Sequence, residues 1–87
     1  MSQKATTKDE LFLLKLYEMA SALGDPKAEV DCLAVAKAIG QNDRGGIVIA
    51  RDLAQANFIK KGEEGAVYLT DHGLRLVEKI RANSHPS

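Results

Sequence analysis

The stretch Asn42-Asp43-Arg44-Gly45-Gly46-Ile47-Val48-Ile49-Ala50-Arg51-Asp52 (NDRGGIVIARD) supports two conformations. As a strand, the Gly pair is a turn that feeds the buried apolar run Ile47 to Ala50. As a helix, Asn42 is the cap and Asp43 sits in the first turn, where the positive end of the helix dipole favours a carboxylate. Gly46, Ile49 or Ala50, Leu53 and Ala56 then share one face at spacings of three and four. The Gly pair opposes the helix by up to ~1 kcal/mol per residue relative to Ala, and by less at Gly45 because that position lies in the first turn. The helical spacing continues unbroken through Leu53-Ala54-Gln55-Ala56, which favours a helix over about 43–56. Asn57 suits its end, since Asn tolerates the left-handed conformation better than most residues.

Upstream, Thr7-Lys8-Asp9-Glu10 has the form of a capping box. Leu11, Leu13, Leu14, Tyr17, Met19, Ala20 and Leu23 follow at helical spacing, and Gly24 with Asp25-Pro26 stops the helix. Asp31 caps a second, short helix by accepting from the amide of Leu33 or Ala34, with Val30 placed to staple onto Val35. Its stripe is Leu33, Ala36 and Ile39, closed by Gly40. Downstream, Phe58-Ile59-Lys60 and Ala66-Val67-Tyr68-Leu69 are strands around Lys61-Gly62-Glu63-Glu64-Gly65, a polar connection with two glycines that marks a hairpin. Thr70 caps a last helix through Leu74, Val77 and Ile80, ending near Asn83. The expected core is Leu14, Leu33, Ile39, Ile49, Leu53, Ile59, Leu69, Leu74 and Val77.

Eighty-seven residues suffice for one small domain, expected over 7–83, with residues 1–6 and 84–87 disordered by composition. Apolar residues make up 45% and charged residues 28%, as in ordinary soluble domains. Twelve Lys+Arg balance twelve Asp+Glu, so any attraction for polyanions rests on local distribution rather than net charge. The single cysteine, Cys32, permits no internal disulfide and no zinc site, and reads as a small buried apolar residue. Neither a signal peptide nor a run of the ~20 apolar residues needed to span a bilayer is present, which points to the cytoplasm.

Three pieces of the chain resemble the winged helix-turn-helix domains of bacterial and archaeal transcription regulators, over roughly Leu11 to Ala82. Val30 to Gly40 (VDCLAVAKAIG) resembles the positioning helix and the Ile-Gly that begins the turn. Leu53 through Asn57-Phe58-Ile59 resembles the end of the recognition helix, with Asn57 at the place that the family usually gives to Gly. Tyr68-Leu69-Thr70-Asp71-His72-Gly73 resembles the Leu-Thr-x-x-Gly that leads from the wing into the final helix. The resemblance implies a mostly α fold with a small β-hairpin wing, of the α+β class. Its order is helix, short strand near Glu29-Val30, helix, helix, two hairpin strands, helix.

The same resemblance implies a small DNA-binding regulator whose third helix enters the major groove. The candidate DNA-binding residues are Asn42, Arg44, Gly45, Ile47, Val48, Arg51, Gln55, Lys60 and Lys61. Arg44 and Arg51 suit phosphate or guanine, Gln55 suits phosphate or a base edge, and Ile47 suits a thymine methyl. Gly45 and Gly46 would let the start of the helix approach a phosphate through open backbone amides. Against duplex binding stand Glu63 and Glu64 at the hairpin tip. The apolar, β-branched Ile47 and Val48 fit a protein partner about as well, so the alternative is an interaction or dimerisation module without DNA binding. Leu11, Phe12, Leu76 and Ile80 are candidate dimer contacts, because apolar residues are spread around the first and last helices. His72 and His85 have no Cys, Ser or carboxylate at a spacing that suggests a triad or metal site. No enzyme activity, metal or cofactor is expected.

Overall fold

The NDRGGIVIARD stretch is helical. In the computed structural model, which describes residues 7–83, it belongs to α3 (Asp43–Gln55). The expectations for residues 1–6 and 84–87, His85 among them, lie outside the described residues. Asn42 is extended, at φ −81° and ψ 177°, and its side-chain oxygen accepts from the Gly45 amide at 2.7 Å. That bond satisfies one of the amides a helix start leaves open.

The remaining elements are α1 (Lys8–Ala22), β1 (Val30–Asp31), α2 (Cys32–Ala38), β2 (Ile59–Lys61), β3 (Ala66–Leu69) and α4 (Asp71–Asn83). The fold is α+β: four helices and one three-stranded antiparallel sheet in the order β1-β3-β2. Val30 pairs with Val67 on one side of β3, and Ile59 with Leu69 on the other, so these four apolar side chains turn inward together. β1 and β2 each run one residue later than expected from the sequence.

Helix starts follow the expected caps. Thr7 and Glu10 exchange both bonds of the capping box, and Asp31 accepts from Leu33 N–H at 3.4 Å. The three helix ends share one device. Gly24, Gly40 and Asn57 have positive φ, and in each case the next amide reaches back to a carbonyl five residues earlier. These are Schellman motifs, which satisfy the open carbonyls of a helix end. Asn57, at φ 67°, takes the left-handed conformation expected of it, and Phe58 N–H closes onto Leu53 O at 3.0 Å.

The core comprises Phe12, Leu13, Leu16 and Ala20 of α1, Val30, Cys32 and Val35, then Ile49, Ala50 and Leu53 of α3, with Ile59, Val67, Leu69 and Val77. Of the residues expected there, Ile49, Leu53, Ile59, Leu69 and Val77 are buried. Leu14, Ile39 and Leu74 are half-buried and pack on its outside, and Leu33 is half-buried at the surface of α2. Phe12 corrects an expectation: it is 0% exposed, so it fills the core of its own chain and offers no dimer contact. The run Leu11-Phe12-Leu13-Leu14 leaves the helical phase open, and the neighbours of α1 select Phe12 and Leu13 for the interior. Ala56 is also exposed rather than on the buried face, because α3 ends at Gln55.

Two glycines permit close approaches. A Cβ at position 46 would collide with the Cβ of Ala36, so Gly46 lets α3 lie directly on α2. A Cβ at position 73 would collide with the carbonyl of Phe58. At that point the Thr70 hydroxyl donates to Asn57 O at 2.5 Å and Phe58 O at 3.2 Å, and accepts from Gly73 N–H at 3.0 Å. Lys27, in the connection before β1, forms an ion pair with Asp71 in the first turn of α4.

Gly46→Ala is expected to lower the urea midpoint. Overpacking of about 1–3 kcal/mol outweighs the ~1 kcal/mol gain in helix propensity, for a net loss near 1 kcal/mol. In an Ala36→Gly background the same substitution should become neutral or stabilising; stabilisation in both backgrounds would refute the close approach.

The hydrogen bond and charge of Lys27 hold the exposed Asp71 carboxyl below its ordinary value. A lowered folded-state pKa contributes stability above the unfolded value, roughly 3.9, and that contribution is lost as pH falls through the folded value. Lys27→Ala should move the NMR titration midpoint of Asp71 upward, and high salt should move it the same way. The effect on global stability should be slight, because the pair is solvent-exposed.

Candidate nucleic-acid interface

The outer face of α3 is the reverse of its buried one. Gly46, Ile49, Ala50 and Leu53 point inward, which leaves Arg44, Ile47, Val48, Arg51 and Gln55 exposed along the opposite side. Ile47 retains 55% of its surface and Val48 40%. This is the set expected from the sequence, and it forms a continuous strip along the helix. A cation stands towards each end, with the two β-branched residues between them.

The start of the helix is arranged differently from the expectation. The Gly45 amide is engaged by the side chain of Asn42, and the Gly46 amide by its carbonyl at 2.9 Å. Neither is open to a phosphate in this conformation. The absence of a side chain at 45 makes room for Gln41 and Asn42, whose oxygens would lie 2.8 and 3.2 Å from a Cβ there. Both glycines therefore serve packing and capping. Asn42 acts through its oxygen as a cap, although the residue is exposed.

Lys60 and Lys61 are exposed on β2. The hairpin closes with Ala66 N–H donating to Glu63 O at 3.0 Å, around Glu64 at φ 53° and Gly65 at φ 80°. Two positive φ values at the centre of a hairpin turn match its right-handed twist, and the first such position normally holds Asn, Asp or Gly. Glu64 is thus held in a conformation that disfavours its side chain. It leaves the tip acidic, with Glu63 and Glu64 both exposed.

Between hairpin and α3 lies a cleft of about 330 Å³. Ile47 and Ala50 form one wall, Lys61 to Val67 supply residues of the other, and Asp31, Cys32 and Leu33 lie at the start of α2. This cleft has no signature in the sequence, since its parts come from three separated segments and no spacing rule links them. The Cys32 thiol donates to Gly46 O at 3.9 Å. Burial raises its pKa, the Asp31 carboxylate adds to the rise, and the Lys61 ammonium opposes it. A thiol held protonated in this way is a poor nucleophile.

Elsewhere, Leu11 is 40% exposed, while Leu76 and Ile80 on α4 are half-buried. Arg81 crosses from α4 to Tyr17 on α1, donating to its hydroxyl at 2.9 Å with the guanidinium 4.8 Å from the ring centre. His72 stacks on Phe58, ring centres 4.6 Å apart. Among the described residues, no group of three or more His, Cys, Asp or Glu is placed to hold a metal ion. Likewise, no helix there is long and apolar enough to cross a membrane. No protein-family model, curated protein or solved structure matches the chain.

Glu64→Asn should stabilise the hairpin, because Asn adopts the left-handed conformation at lower cost. An increase of about 0.5–1 kcal/mol in unfolding free energy is expected. A loss of stability would mean that the Glu64 side chain makes a contact worth more than the backbone relief.

Proposed function

We propose that the chain is a winged helix-turn-helix domain that binds double-stranded DNA as a small cytoplasmic transcription regulator, with α3 in the major groove. The observation that carries this reading is the exposed strip Arg44, Ile47, Val48, Arg51 and Gln55 on a helix whose other face packs on α2 and the core. The element order and the three-stranded sheet agree with the resemblance of the sequence to that family. A strip of this kind can place guanidinium groups on phosphate or guanine and an Ile side chain on a thymine methyl.

Charge supports the reading only locally. Over 42–61 the chain carries Arg44, Arg51, Lys60 and Lys61 against Asp43 and Asp52, a surplus of two. One copy should bind weakly, with a salt slope set by the few phosphates it contacts, while a symmetric pair would double the surplus. Leu11, Leu76 and Ile80 remain the proposed contacts for such a pair.

One observation favours a second reading. Ile47 and Val48 are exposed, adjacent and β-branched, a combination suited to excluding water against another protein. In that reading α3 is an interaction surface and duplex DNA is not a ligand.

The readings separate in a fluorescence-anisotropy titration with generic duplex DNA at low and moderate salt. Under the DNA reading, Arg44→Ala and Arg51→Ala weaken binding. Each lost phosphate contact lowers the salt slope by roughly 0.9, and each lost base contact costs about 1–3 kcal/mol. Glu63→Gln with Glu64→Gln strengthens binding by removing repulsion at the tip. Under the protein reading these changes matter little, and Ile47→Asp with Val48→Asp removes the contact. Absence of salt-sensitive duplex binding by the unaltered chain refutes the regulator assignment.

A further inference from the structure

The cleft between α3 and the hairpin has an apolar interior and charged edges of both signs. Cys32, Leu33, Ile47, Ala50, Ala66 and Val67 supply its apolar surface. Lys61 lines it from the end of β2, Asp31 from the start of α2, and Glu64 from the turn. Asp31, Cys32 and Lys61 all line the cleft, so unlike charges border it. The ion pairs Lys15–Glu18 and Lys27–Asp71 involve none of the charged residues that line the cleft. The charges around the cleft are therefore not paired with one another. Asp31 also accepts a single long hydrogen bond from Leu33 N–H, which leaves acceptor capacity on its carboxylate.

An apolar hollow bordered by an ammonium and carboxylates complements a ligand with an apolar body and two opposite charges. At about 330 Å³ the volume lies near the lower end of small-molecule sites, which run from roughly 300 to 1,000 Å³. A large drug-like or nucleotide ligand is thereby disfavoured. A simple fatty acid would leave Asp31 and Glu64 unmatched, and a simple amine would leave Lys61 unmatched. We propose that this cleft binds a free α-amino acid with an apolar side chain. Its carboxylate pairs with Lys61, its ammonium with Asp31 and Glu64, and its side chain lies against Leu33, Ile47, Ala50 and Val67. Asp31, Lys61 and Glu64 are exposed, so each pairing is weak by itself and discrimination should come from the two charges acting together with the apolar contact. The Glu at the positive-φ position of the turn gains a use in this arrangement.

The site shares Ile47 and Lys61 with the proposed DNA-binding face, but it does not depend on DNA and is tested on the chain alone. The ¹⁵N-labelled protein is titrated with L-leucine and followed by amide chemical shifts. Saturable shifts are expected around Asp31–Leu33, Ile47, Ala50 and 61–67, and none with glycine, which lacks the apolar body. Isoamylamine and 4-methylpentanoate, each lacking one of the two charges, should bind at least about tenfold more weakly. Lys61→Gln should bring L-leucine down to the affinity of isoamylamine, and Glu64→Gln should narrow its advantage over 4-methylpentanoate. Both positions are exposed, and retained dispersion of the spectrum confirms that the variants fold. In a second measurement, excess L-leucine should raise the urea midpoint of the chain. No shift at millimolar L-leucine, equal binding of all three ligands, or indifference to Lys61→Gln would overturn the proposal.

Discussion

The Thr70 hydroxyl joins the two halves of the molecule. It donates to the carbonyls of Asn57 and Phe58, where α3 gives way to β2, and accepts from Gly73 N–H, where β3 gives way to α4. The Thr70 amide adds a bond to Phe58 O at 3.1 Å. Together these bonds seat the beginning of α4 on the turn that follows α3, and Gly73 permits the contact because any side chain there would strike the Phe58 carbonyl. The direction in which the hairpin leaves α3 follows from this junction. So does the cleft between them, and with it the position of Lys60, Lys61 and the acidic tip relative to the exposed strip of α3.

A second constraint acts on the helices. Three of them end in the same left-handed turn, with Gly24, Gly40 and Asn57 allowing the chain to reverse while its last carbonyls remain bonded. The reversal after α2 returns α3 across it, and Gly46 lets the two backbones approach over Ala36. α1 then lies against α2, α3, α4 and the sheet, with Phe12, Leu13, Leu16 and Ala20 as its buried face. Burial of a large apolar side chain contributes about 1.5–3 kcal/mol, so this one helix supplies a large share of the interior.

The electrostatics of the molecule are local. Positive groups on α3 and at the end of β2 are set against carboxylates at the hairpin tip, and the chain carries no formal net charge. Opposite charges a short distance apart cancel beyond a Debye length, about 8 Å at physiological salt. Any partner is therefore distinguished at contact distance, by where the guanidinium, ammonium and carboxylate groups stand, and long-range steering contributes little.

What could be read from the sequence was local in its physics. The capping box at Thr7, the Asp31 and Asn42 caps and the left-handed Asn57 each depend on bonds between residues a few positions apart, so neighbouring letters suffice. The same holds for the exposed strip of α3, because one unbroken helical phase assigns both of its faces. The phase of α1 was not legible, since four successive apolar residues from Leu11 to Leu14 fit several orientations and packing against the other elements placed Phe12 inside. Nor was the use of Gly45 and Gly46, which appear in sequence as a flexible pair and in the fold as room for a cap and for Ala36. The cleft lay furthest from the sequence: Asp31, Ile47 and Lys61 become neighbours only when the sheet and helices close around a common core. Hydrogen bonds across one helical turn are written in adjacent residues, whereas burial and enclosed space depend on segments that meet only through the whole tertiary structure.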